Sequence, residues 1–235
     1  MAKKKRIPRK KLKEPDEFLT FSAKAIQLVL EQRLWALIGL SILVVLILGW
    51  LIIRHFSELA ESQAYAILEK GRSYYTAARS RNDRLRSYEK STKQFEEVLK
   101  KYPGTKAYRL ALLAYANYSY DVEMYQKAIE LYEEAVRTFS EDTAIKGLLL
   151  RDLAYCYEEL KDYKRASEYL EKVTGLETEF LKGEAYFHLG LISEMQKNTE
   201  KAVEQYEKVV RDYPETLYVE IAKDRLIRLK TGAEG

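Results

Sequence analysis

Three times in this chain a small residue is followed twelve positions later by alanine, then by a large side chain and another apolar one. The small residues are Ala116, Ala154 and Gly190, and the alanines are Ala128, Ala166 and Ala202. Tyr132, Leu170 and Tyr206 come four residues further on, and Ala135, Val173 and Val209 three after those. Successive units are offset by 38 and then 36 residues, while the internal spacing does not change. A constant helical spacing with variable connections predicts stacked pairs of antiparallel helices. The first small residue lets two helices approach closely, and the alanine sits where they cross. The large residues four and seven positions on are expected to pack on the next unit. Short polar turns separate the helices of each pair, at Glu123–Met124, Lys161–Asp162 and Lys197–Asn198.

The stretches LLAYANYSYDVEMYQKAIELYEEAV, LRDLAYCYEELKDYKRASEYLEKV and YFHLGLISEMQKNTEKAVEQYEKVVRDYP resemble the tetratricopeptide repeat. That family is a helix–turn–helix unit of about 34 residues. Leu189–Gly190, Ala202, Tyr206, Val209 and Pro214 fall where its pattern places them. Three units are expected over residues 106–215. A degenerate unit precedes them, within a helical linker at 54–105. Ser91, Phe95, Val98 and Pro103 repeat the second-helix pattern there, whereas the helix before it (about 58–79) lacks the spacing. The charged insert at 79–84 is read as lengthening the loop. Residues 216–235 supply a capping helix through Val219, Ile221, Ala222, Leu226 and Leu229, with a charged opposite face. The fold class expected is all-α.

Ahead of the repeats stands LWALIGLSILVVLILGWLII, residues 34–53, with no charge and Ser41 as its strongly polar side chain. Twenty helical residues span about 30 Å, the thickness of a bilayer's hydrocarbon core. A signal peptide's apolar core is shorter, about 7–15 residues, and ends at a small-x-small site. This run ends in Arg54–His55 instead, so it reads as a retained single-pass transmembrane helix. Residues 1–33 carry ten Lys/Arg against four Asp/Glu, a net +6. Whole-chain totals of 40 and 36 leave 30 against 32 beyond them, a net −2. The positive-inside rule then puts the N-terminus in the cytoplasm and the repeats outside it. Trp35 and Trp50 suit the two interfaces. The tail KKKRIPRKKLK could also bind nucleic acid or anionic lipid, but is read as a topology determinant resting near acidic headgroups. Phe18, Phe21, Ala25, Leu28 and Val29 recur at helical spacing and suggest a short interfacial helix. The near-neutral repeat domain needs no polyanionic partner, and no nucleic acid is expected.

Catalytic signatures are missing: no Walker loop, no GxSxG, no HExxH. Cys156, the sole cysteine, excludes an intrachain disulfide and reads as a buried structural thiol. His55 and His188 are far apart in sequence, and His188 reads as packed or solvated. The adjacent pairs Glu96–Glu97, Glu133–Glu134 and Glu158–Glu159 diverge on their helices and read as solvated faces. No enzyme activity, metal or cofactor is expected.

A binding surface remains. The resemblance implies a concave groove along the first helices, lined by Leu113, Asn117, Tyr120, Arg151, Tyr155, Glu158, Phe187, Leu191 and Glu194. The aromatic and polar mixture suits an extended peptide rather than a C-terminal carboxylate clamp; inter-repeat packing is an equal expectation for several of the tyrosines. The overall layout resembles the ancillary SecYEG translocon subunits of the bacterial inner membrane. That resemblance implies a periplasmic repeat domain linking the translocon to chaperones, with membrane lipid around the anchor. Tyr213–Pro214–Glu215–Thr216 followed by AKDRLIRL resembles repeat edges of outer-membrane assembly and cell-division coordinators. A structural scaffold in the envelope is therefore the second expectation.

Overall fold

The computed structural model describes residues 33–77 and 81–232. Among them lie nine helices: α1 Arg33–Thr76, α2 Arg81–Lys101, α3 Lys106–Asp121, α4 Tyr125–Thr138 and α5 Thr143–Glu159, then α6 Tyr163–Thr174, α7 Lys182–Met195, α8 Thr199–Asp212 and α9 Val219–Thr231. The fold is an all-α solenoid. The chain divides into two compact units, Met1–Glu58 and Leu59–Gly235.

Helix α1, which starts in the first unit, is long and apolar enough to cross a membrane, and none of its most apolar stretch is buried. Leu34, Trp35, Leu46 and Ile53 are each well over half exposed. Ser41 donates its hydroxyl to the Leu37 carbonyl at 2.8 Å, so the polar side chain in this stretch is satisfied within the helix. The polar character returns at Arg54, which lies 5.5 Å from the Trp50 ring and 2.8 Å from Glu58. The basic tail and the interfacial helix expected around Phe18–Val29 lie outside the described residues.

In the second unit, helices from α2 to α9 each pack on the next in chain order. Close approach depends on the small residues. A Cβ at Gly190 would stand 2.5 Å from the Tyr206 ring, so glycine there lets α8 lay a fully buried tyrosine on α7. Tyr206 thus packs within its own pair, not only on the next unit as expected. The first pair follows the same plan despite its irregular spacing. A Cβ at Gly71 would meet the Phe95 ring at 2.7 Å, and Ser91 donates to the Gly71 carbonyl at 2.8 Å. The insert at 79–84 is also less of a loop than expected, because α2 begins at Arg81 with Asp83 in its first turn. At the far end α9 buries Ala222 and Leu226, but Ile221 is 49% exposed and does not belong to its inner face.

All three polar turns share one backbone device. Glu123, Lys161 and Lys197 adopt φ of 66°, 59° and 58°. The next residue donates its backbone N–H five residues back: Met124 to Ser119, Asp162 to Tyr157, Asn198 to Ser193, at 2.8–2.9 Å. Asp162 and Asn198 then cap the following helix through their side chains, whereas Met124 makes no such bond. Its φ and ψ of −83° and 57° nearly match those of Asp162, −87° and 71°. Met124→Asp is therefore expected to stabilise the domain by about 0.5–2 kcal/mol, the worth of an N-cap. Urea denaturation of the full chain in detergent checks this, and an unchanged or lower midpoint would refute it.

Candidate functional site

The first helices of successive pairs share one face. Tyr120 on α3, Tyr155, Glu158 and Glu159 on α5, Glu184 and His188 on α7, and Tyr218 before α9 surround a hollow of about 350 Å³. Tyr155 donates its hydroxyl to Glu184 and lies 3.2 Å from His188 Nε2. His188 Nδ1 stands 3.2 Å from Glu158 Oε1, and Tyr218 donates to Glu184 at 3.3 Å. The Tyr155 and His188 rings are 4.6 Å apart. Arg151 holds Asp152 at 2.8 Å and Glu184 at 3.7 Å. Every one of these links except Arg151–Asp152 joins different repeat units, so the stacking of the pairs creates the network.

Burial, then the hydrogen bond to Glu184, pushes the Tyr155 hydroxyl far above its ordinary value. It therefore stays a neutral donor rather than a nucleophile. Burial, followed by Glu159, raises Tyr120 to about 12. Burial opposes the charge on Arg151, but Asp152 and Glu184 outweigh it and keep the guanidinium protonated. Burial, then Asp152, pushes the Cys156 thiol up to about 12, which leaves it inert at neutral pH. Among the described residues, no group of three or more His, Cys, Asp or Glu is placed to hold a metal ion.

Of the nine residues expected along the groove, Tyr120, Tyr155 and Glu158 meet around this hollow. Arg151 lies beside a second hollow of about 600 Å³, which shares Glu184 and Tyr218 with the first. Leu113 lines a separate one, with Tyr65, Leu110 and Phe139. Asn117 is exposed and accepts the Tyr132 hydroxyl at 2.7 Å. Phe187 requires a correction: it is buried at 6% exposure and stacks on Tyr218 at 4.8 Å, so it builds the core. Leu191 packs against the same cluster. Glu194 accepts from Tyr206 at 2.5 Å and pairs with Arg225 at 3.0 Å, which ties α7 to α8 and α9.

Glu184, His188 and Tyr218 escaped the sequence reading. One signal was present: the register position after Leu113, Arg151 and Phe187 holds Ala114, Asp152 and His188, polar in two of three units. The acidic pairs also differ from expectation. They diverge as foreseen, but are not simply solvated faces. Glu96 accepts from Tyr115 at 3.0 Å, Glu134 from Tyr108, and Glu159 from Tyr125 at 3.4 Å. Tyrosine rings fill the core while their hydroxyls reach carboxylates on neighbouring helices, an arrangement suited to a side chain apolar in body and polar at its tip.

Residues 152–180 and 184–216 each match a tetratricopeptide-repeat family model. No curated protein sequence matches the chain. Among solved structures it is similar to MamA protein, at 20% identity over 73% of this chain and 87% of that one, with a TM-score of 0.51. It is also similar to the nearly identical TPR-like repeats of a putative kinesin light chain from Podosopora anserina: 18% identity, 73% and 87% coverage, TM-score 0.53. A tetratricopeptide repeat protein from Parabacteroides merdae matches at 15% identity, 75% and 60% coverage, and a TM-score of 0.53. At these identities the likeness concerns the fold alone.

Proposed function

We propose that this protein is a membrane-anchored interaction scaffold whose repeat groove holds extended segments of other proteins. The observation that carries the binding role is the face shared by Tyr120, Tyr155, His188 and Tyr218. There, half-buried aromatic rings and hydrogen-bonding tips from α3, α5, α7 and the turn before α9 surround one hollow. Such a surface can cover the side chains of an extended chain and satisfy its backbone groups. Anchoring is supported by the fully exposed apolar run of α1, which an aqueous surface would not tolerate at this size. The basic tail supports a cytoplasmic N-terminus and a repeat domain on the periplasmic side of a bacterial inner membrane. In that place an adaptor beside a translocon, receiving emerging chains or chaperones, fits the layout. The groove acts by binding and not by catalysis, in keeping with its neutral tyrosines.

A photoreactive phenylalanine analogue at position 155 of the full chain, in native membranes, tests the reading. Crosslinks to translocon components or emerging chains are expected there and not from exposed Glu168 on α6. Adducts only with cell-wall or outer-membrane machinery would replace the adaptor role with an envelope scaffold, and equal crosslinking from both positions would remove the groove. Protease added outside the membrane should degrade the repeat domain and spare the tail; the reverse would overturn the orientation.

A further inference from the structure

The second hollow, of about 600 Å³, lies beside the first and is built differently. Two loops frame it, one between α6 and α7, the other between α8 and α9. Each presents a large apolar side chain to solvent: Phe180 is 79% exposed and Leu217 is 92% exposed. Neither is needed for the core, and exposing both has no benefit for an isolated domain. Gly183 sets the floor between them. A Cβ there would come within 3.0 Å of Tyr213 Cβ and 3.1 Å of Thr216 Cβ, so glycine allows the second loop to lie against α7.

Carboxylates outnumber cations among the side chains that border the two hollows. Glu158, Glu159 and Glu184 border the first, and Glu179, Asp212 and Glu215 the second. Four of these six carboxylates are held: Glu184 by Arg151, Glu158 by His188, Glu179 by Lys182 at 2.7 Å and Asp212 by Arg211 at 2.8 Å. Glu159 and Glu215 are exposed and make no ion pair among the described residues. Clefts lined by one sign of charge concentrate ligands of the other sign.

The geometry points to one occupant: an extended segment of a partner protein that places an apolar side chain between Phe180 and Leu217 and a lysine or arginine beside Glu159, Glu184 and Tyr120. This assignment rests on the groove-binding reading above and gives it a chemical class, a cationic-apolar peptide. Tyr120 and Tyr155 add aromatic faces suited to a cation. Successive residues of an extended chain point to opposite sides and residues two apart to the same side, so residues two apart can enter the two adjoining hollows.

Fluorescence anisotropy of labelled, unstructured peptides on the full chain in detergent micelles tests it. Three peptides share a Ser/Gly background: one carries Lys and Leu in turn at every second position, one has Glu for each Lys, and one has Ser for each Leu. The Lys/Leu peptide is expected to bind tightest, with affinity falling as salt rises, and each altered peptide at least about tenfold weaker. E159K/E215K and F180S/L217S change only exposed side chains. Each is expected to weaken the Lys/Leu peptide at least about tenfold, with circular dichroism and melting temperature unchanged. Equal or tighter binding of the Glu peptide, abolished by Tyr155→Ala, would overturn the cationic assignment and leave the groove reading standing. Binding of the Lys/Leu peptide that both double variants leave intact would overturn the site. No binding by any of the three would overturn both.

Discussion

Tyr206→Ala is expected to destabilise the repeat domain by about 3–5 kcal/mol, the range for emptying a buried aromatic site. Tyr206 is 0% exposed, its ring fills the space that Gly190 leaves, and Phe187 lies 5.7 Å away. The neighbours cannot close over the void, because Gly190 has no side chain to follow the ring inward. The hydroxyl bond to Glu194 is lost as well, although Arg225 remains on that carboxylate. In an array whose units touch mainly their neighbours, the damage should stay local at first. Hydrogen exchange on the full chain is expected to show α7, α8 and α9 losing protection while α3 and α4 keep theirs. A loss below about 1 kcal/mol, or uniform loss of protection, would mean the ring is not the wedge that closes this pair.

Alkaline pH should unfold the domain well before its backbone is chemically threatened. An unperturbed tyrosine titrates near 10. Here burial raises Tyr108 to about 12, helped by the hydrogen bond to Glu134. Burial, then Glu133, raises Tyr169 to about 12, and burial with Glu159 does the same to Tyr120. Tyr115, Tyr132 and Tyr206 are raised further, again chiefly by burial. The folded state thus keeps protons that the unfolded chain releases. Its stability is complete below pH 10 and declines as pH climbs through the folded values. Each tenfold difference in proton affinity between the folded and unfolded chain is worth about 1.4 kcal/mol for a desolvated hydroxyl, and solvent screening reduces this at the half-exposed ones. Summed over these tyrosines, the loss is on the order of a few kcal/mol, comparable with the whole stability of a domain. Circular dichroism and tyrosinate absorbance should change together in one cooperative step above pH 10. Independent ionisation near 10 with helicity intact would show that these hydroxyls are not tied to the fold.

The tyrosines also mark the boundary between what the linear sequence contained and what it did not. Gly190, Ala202, Tyr206 and Val209 could be placed on paired helices from spacing alone, because helical periodicity is a local property. The turn residues were equally legible, since Asp162 and Asn198 act within three positions of themselves. Gly71 was not, because α2 runs about two turns further before Phe95 than α8 does before Tyr206, which hid the fact that Gly71 serves Phe95 as Gly190 serves Tyr206. Phe187 shares the register position of Arg151, but Tyr218 stacks on it and buries it, which its own repeat unit does not reveal.

The helix pairs, the turns between them, the apolar run of α1 and the placing of charge along the chain are legible in the linear order of residues. Each depends on residues within a few turns of one another. That Tyr155, Glu158, Glu184, His188 and Tyr218 share one hollow, and that Phe180 and Leu217 both line another, emerged only from the packed array. Those meetings depend on the rotation between stacked pairs, a sum over all the packing contacts of the array that no local spacing encodes.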